Sequence, residues 1–222
     1  MIKKWLPLSI LIMALLYIFV IPSEPIAIKL TFKIIPMLLI LYFAFQIKIT
    51  NNGKFPWIII TGLFFCMLGD GLLIWFVVGL TAFLIGHLFY FGGFLTRWSF
   101  SWPKFLSIIP IAIYSTTIGY QLLDSIYDKG EEALVIPVIF YVFVISIMYW
   151  SAIMTGSKLA TAGSTLFVIS DSVLAWDKFV SDIPYAGVII MITYYSAQFL
   201  IAHTVSESSR KMRKNAKPAF QQ

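Results

Sequence analysis

Apolar runs of about 17 to 22 residues recur along nearly the whole chain, each long enough to cross the hydrocarbon layer of a bilayer as a helix. Eight such runs are legible: 5–21, 29–47, 56–74, 76–95, 103–121, 133–154, 159–177 and 184–203. Turn-forming stretches separate them, among them "IPSEP", "TNNGKFP", "TRWSFSWPK", "DSIYDKGEE" and "SDIP". The third and fourth runs meet near Trp75 with almost no loop, which predicts a tight helical hairpin. Only 12% of the residues are charged, against roughly 25% in soluble domains. The expected fold is therefore all-α, a polytopic membrane bundle of about eight transmembrane helices. It forms a single transmembrane domain over residues 1–205, followed by a basic tail over 206–222. A cleavable leader at residues 1–21 is disfavoured, because the run is long and lacks a small-x-small cleavage site.

Loop charge orients the bundle. With the N-terminus inside, the inner segments collect Lys3, Lys4, Lys48, Lys54, Arg97, Lys104, Lys158 and the tail "RKMRKNAK". The outer loops then hold Glu24, Asp124, Asp128, Glu131, Glu132, Asp177 and Asp182, with Lys129 and Lys178 as their basic residues. Short loops rich in Lys and Arg stay cytoplasmic, so both termini are expected inside. The net charge of +6 is thus concentrated on one side. It suits anionic lipid headgroups and topology rather than nucleic acid.

The halves of the chain resemble each other. A shift of 101 residues pairs Pro36 with Pro137, Gly62 with Gly163, Asp70 with Asp171, Leu73 with Leu174 and Trp75 with Trp176. Four spans per unit predict two parallel four-helix repeats, with Asp70 and Asp171 at the same depth. Each aspartate would lie roughly 7–9 Å from the outer end of its helix, at 1.5 Å per residue.

An aspartate at the centre of a spanning helix costs roughly 2.5–3.5 kcal/mol on insertion scales, so it faces the bundle interior and has a partner. Other polar groups share that depth: Lys33 in span two, His87 and Tyr90 on one face of span four, and Tyr194, Tyr195 and Gln198 in span eight. Ser170 precedes Asp171. Lys33 has three open roles: snorkelling to the interface, binding an anion, or pairing with an aspartate. Gly62, Cys66 and Gly69 lie near the face of Asp70 and allow a neighbouring helix to approach closely. The single cysteine, Cys66, excludes an internal disulfide and any cysteine-rich metal site.

Two histidines in total argue against a zinc site, which needs about three His or carboxylate ligands. The stretch "AGSTL" does not match the G-x-S-x-G elbow of a serine hydrolase. What remains is a pair of carboxylates in an apolar pocket, where one member stays protonated as an acid while the other is ionised. Glycosidases apply such a pair to acetals through an oxocarbenium-like transition state. A transporter relaying protons or a cation through Asp70 and Asp171 is the alternative, and a lipid-binding scaffold without activity a third reading.

The motifs "KIIP", "GLFFCMLGDGLL", "VGLTAFLIGHLFYFGGF", "AGSTLFVISDSVLAWDKF" and "TYYSAQFLIAH" resemble, in order and over nearly the whole chain, the YhhN-like lysoplasmalogenase family of multispan proteins. The resemblance implies hydrolysis of the vinyl-ether bond of lysoplasmalogens, single-chain ether phospholipids, to a fatty aldehyde and a glycerophospho-ethanolamine or -choline. It implies no cofactor. It would place the protein in the cell membrane of a bacterium or the endoplasmic reticulum of an animal. On this reading Asp70 and Asp171 share the roles of general acid and negative charge. Lys33 holds the substrate phosphate, while His87, Tyr90, Tyr195 and Gln198 orient water or headgroup.

Overall fold

The computed structural model describes residues 5–22, 24–48 and 53–216, with side chains through Glu207. Among these residues there are nine α-helices and no strand. They are α1 (Leu6–Phe19), α2 (Ile26–Lys48), α3 (Lys54–Leu72), α4 (Phe76–Leu95), α5 (Trp102–Leu106), α6 (Ile108–Asp128), α7 (Val135–Met154), α8 (Lys158–Phe179) and α9 (Ala186–Ala216). Seven segments are long and apolar enough to cross a membrane: α2, α3, α4, α5 with α6, a 3-10 turn with α7, α8, and α9 to Glu207. The protein is a multi-pass integral membrane helical bundle.

The expected spans differ from these helices at particular places. The first was expected over 5–21, but α1 has 14 residues and is shorter than the ~20 that span a bilayer. It ends at Phe19, just ahead of Pro22, which disfavours helical geometry in the residue before it. The fifth was expected to stop at 121, yet α6 continues to Asp128, because no breaker intervenes before Gly130. The eighth was expected to end at 203, whereas α9 runs on into the basic segment.

The halves pack in the same order. The tightest pair is α3 on α4 in the first half and α8 on α9 in the second. In the same way α2 packs on α3 and α7 on α8, α1 on α2 and α6 on α7. The halves join through α9 on α2 and α4 on α7. Small residues permit the tight pairs. A Cβ on Gly62 would lie 3.1 Å from the carbonyl oxygen of Gly86 and 2.5 Å from the Tyr90 ring. A Cβ on Gly163 would lie 3.2 Å from the carbonyl oxygen of Ala197. Lipid gives helices no hydrophobic reason to associate, so such close backbone approach supplies much of the attraction.

Candidate active site

The buried polar groups converge where the halves meet. Asp70 is in the last turn of α3, two residues before its end. Asp171, its counterpart under the 101-residue shift, lies eight residues before the end of α8. The shift predicted equal distances from the helix ends; they differ because α8 continues further past its aspartate. Each is held by two other helices, one from its own half and one from the other.

Asp70 is 2% exposed and forms an ion pair with Lys33 of α2, Nζ lying 3.3 Å from Oδ1. The Tyr194 hydroxyl, from α9, donates to Oδ2 at 2.6 Å. Both carboxylate oxygens are therefore satisfied, and the negative charge has a counter-ion. Of the three roles open to Lys33, the observed geometry is the ion pair. The helix around Lys33 is itself unusual. Pro36 sits inside α2 and has no N–H to offer the carbonyl of Phe32. One residue on, the Lys33 carbonyl accepts a hydrogen bond from the Tyr195 hydroxyl at 2.8 Å, which fastens α9 to α2 beside the proline.

Asp171 is held differently. The Tyr141 hydroxyl of α7 donates to its Oδ2. His87 of α4 brings Nε2 to 3.4 Å from the same oxygen and 3.0 Å from the Tyr141 hydroxyl. The imidazole is fully buried, and Phe167 meets its ring edge-on at 4.5 Å between centroids. Its other nitrogen, Nδ1, makes no hydrogen bond among the described residues. The Asp171 side chain is 13% exposed, the more reachable of the two carboxylates.

One turn beyond His87, the Tyr90 hydroxyl donates to Oε1 of Gln198 at 2.6 Å. Both residues are fully buried, and among the described residues Nε2 of Gln198 has no hydrogen-bond partner. His87 follows Gly86 and Gln198 follows Ala197, the two residues whose carbonyls abut Gly62 and Gly163. His87 and Gln198 thus occupy matching places in the two halves.

The structure gathers Asp70, Lys33 and Tyr194 into one cluster, with Tyr195 beside it. It gathers Asp171, His87 and Tyr141 into another, and Tyr90 with Gln198 into a third near His87. The two phenols that bond to the carboxylates were not assigned to the site from the sequence. Tyr194 was placed at the right depth, but the site role went to Tyr195, one position round the helix. Tyr141 was not singled out, since nothing separates it from the other ten tyrosines of the chain. Among the described residues no group of three His, Cys, Asp or Glu could hold a metal ion.

Residues 28–205 match the model of the YhhN family. The chain is 33% identical over 205 residues to mouse lysoplasmalogenase TMEM86B, covering 90% of this chain and 85% of that protein. It is 30% identical to the rat protein of the same name over 90% of this chain and 83% of that protein. Bovine lysoplasmalogenase TMEM86A is 34% identical over 166 residues, covering 68% of this chain and 65% of that protein. No solved structure matches the chain. The family match covers both aspartates and all of their partners, and the chain belongs to the YhhN family.

Proposed function

We propose that this protein is a membrane-embedded hydrolase that cleaves the vinyl-ether bond of lysoplasmalogen. The products are a fatty aldehyde and glycerophospho-ethanolamine or -choline. The observation that carries the reading is the unequal treatment of two intramembrane carboxylates. Asp70 is neutralised by Lys33, while Asp171 stands against a tyrosine and a histidine, in a chain one-third identical to named lysoplasmalogenases.

The chemistry follows from the substrate. A vinyl ether is activated by adding a proton to its outer alkene carbon, which leaves an oxocarbenium ion. Water adds to the carbon bonded to the ether oxygen and loses a proton, and the hemiacetal collapses to aldehyde and alcohol. The site must therefore supply an acid, a nearby negative charge and one controlled water. Asp171 is assigned the acid, since it is the more exposed carboxylate and His87 can return a proton to it. After the transfer its own negative charge faces the oxocarbenium ion. The Nδ1 of His87 and the Nε2 of Gln198, both buried, are assigned the water. The Asp70–Lys33 pair, bonded to α9 through Tyr194 and Tyr195, holds α2, α3 and α9 together around the site. The phosphate role of Lys33 would require it to leave Asp70. The termini are assigned to the cytoplasmic side on the charge of the loops.

The test is aldehyde release by purified protein supplied with lysoplasmalogen. Turnover that disappears in Asp171→Asn is the expected result. Absence of aldehyde, with uptake of a solute driven by a pH gradient in proteoliposomes, would favour the transporter reading instead.

A further inference from the structure

The two halves depart from each other at one element. In the first half, α1 packs on α2 and on α9. Its counterpart α6 packs on α7 but leans on α8, where the matching neighbour would be α4. The difference bears on the aspartates. Asp70 is sealed beneath its neighbours, whereas Asp171 keeps access to the space beside α6.

Three neighbouring cavities make up that space. A cleft of about 570 Å³ runs between α6 and α7, walled by residues that include Ala112, Gly119, Leu123 and Phe143. Its size lies within the ~300–1,000 Å³ typical of small-molecule sites. A smaller chamber shares Ser115, Val142 and Ser146 with the cleft and is lined on its far side by Tyr141 and Asp171. A further recess continues from Asp171 to Phe179. Around Phe179 stand two cations: Lys129, whose Nζ donates to the Phe179 carbonyl at 2.7 Å, and Lys178. The hydroxyls along the route bond to one another, Ser115 with Ser146 at 2.6 Å and Tyr114 to Ser172 at 2.8 Å. The wall they leave is mostly hydrocarbon.

Resting on the hydrolase reading, we infer that the α6–α7 cleft holds the single hydrocarbon chain of the ether lipid. This places the first carbons of the chain at Asp171 and the phosphate toward Lys129 and Lys178. The two halves thus differ in the placement of one helix: α1 packs on α2 and α9 in the first half, and α6 leans on α8 beside the cleft in the second. The groove between α1 and α9, about 290 Å³, is lined by Tyr195 but by neither aspartate and does not hold substrate.

Gly119→Phe provides the test. A Cβ there meets only Val142, at 3.9 Å, so the larger side chain enters the cleft without meeting backbone. Ala112→Phe, seven residues away on the same wall, serves if the first variant does not fold. Ser196→Leu, in the α1–α9 groove, is the control. The protein in lipid nanodiscs is given a saturated alkyl-ether lysophospholipid, which lacks the alkene, and thermal stabilisation is read. Aldehyde release is measured with long- and short-chain lysoplasmalogens. Wild type and Ser196→Leu are expected to be stabilised. Gly119→Phe is expected to lose that stabilisation and to show a KM for the long chain raised roughly tenfold, the effect of displacing about two methylenes. Stabilisation lost in Gly119→Phe without aldehyde from any protein would uphold the cleft and sink the hydrolase reading. Aldehyde release with unchanged chain-length dependence in both cleft variants would sink the cleft and leave the hydrolase reading standing. Loss of stabilisation in Ser196→Leu alone would move the chain to the other groove and overturn the inference.

Discussion

Lys33 Nζ lies 3.3 Å from Asp70 Oδ1 inside the bundle, and the corresponding aspartate, Asp171, has His87 at 3.4 Å. Two carboxylates at equivalent places in a repeat thus have different counter-groups, one a fixed cation and the other a group able to exchange a proton. The difference assigns them different work.

Asp171→Asn is expected to lower kcat by about 10²–10⁴-fold, the usual contribution of a general acid, with folded protein still recovered from the membrane. Asp70→Asn is expected to lower turnover as well, through the loss of a fixed neighbour. Losses of residues that act together do not add, so the double variant should be little worse than Asp171→Asn. Wild-type kcat in Asp171→Asn would refute its assignment.

For Lys33 the ion pair and the phosphate role give opposite readouts. Removing one member of a buried pair costs about 3–5 kcal/mol, because the partner charge is left without compensation. Lys33→Met should therefore lower the unfolding temperature sharply, and adding Asp70→Asn should restore most of it. If the lysine instead held phosphate, Lys33→Met would raise KM with kcat and stability unchanged. Melting curves of the single and double variants decide between them.

The two phenols that grip the carboxylates should also separate. Tyr194→Phe removes a donor from a buried carboxylate and is expected to cost about 1.5–3 kcal/mol of stability, the worth of a hydrogen bond to a charge. Tyr141→Phe acts at the carboxylate assigned to the acid. Its larger effect should be on kcat, with KM for lysoplasmalogen nearly constant. A fall in stability without any change in kcat would make Tyr141 a packing residue.

Gly62 tests the close contact of α3 with α4. A methyl there meets the Tyr90 ring at 2.5 Å, and Tyr90 is committed to Gln198. Gly62→Ala is expected to cost about 1–3 kcal/mol, as overpacking usually does, and to lower activity through displacement of Tyr90. Gly92→Ala, with nothing within 4 Å of the added carbon, should behave as wild type in both assays.

Orientation has a direct check. A reporter fused after Gln222 should register as cytoplasmic and one inserted at Lys129 as external. The short α1 makes this informative, because an odd number of full crossings would put the two reporters' positions at odds with a cytoplasmic N-terminus.

Much of this protein is written along one dimension. The length of the apolar runs and the loops between them place the helices, because a bilayer admits long runs as helices and little else. The pairing of Asp70 with Asp171 is also legible, since a carboxylate in hydrocarbon is costly enough to stand out in any reading. What each aspartate touches was decided only by the fold. Gly86 and Ala197 are equivalent in packing but 111 residues apart, against 101 for the aspartates, chiefly because α8 runs further past Asp171 than α3 does past Asp70, and also because the connection after α8 is the longer. A fixed shift therefore fails over the last helix of each half, where His87, Tyr194 and Gln198 reside. Tyr141 carries no signal of its own, since a phenol is at home in an apolar helix whether or not its hydroxyl finds a carboxylate. The lean of α6 onto α8 is likewise absent from the pattern of hydrophobicity: lipid and a neighbouring helix are equally apolar surroundings, and only packing distinguishes them.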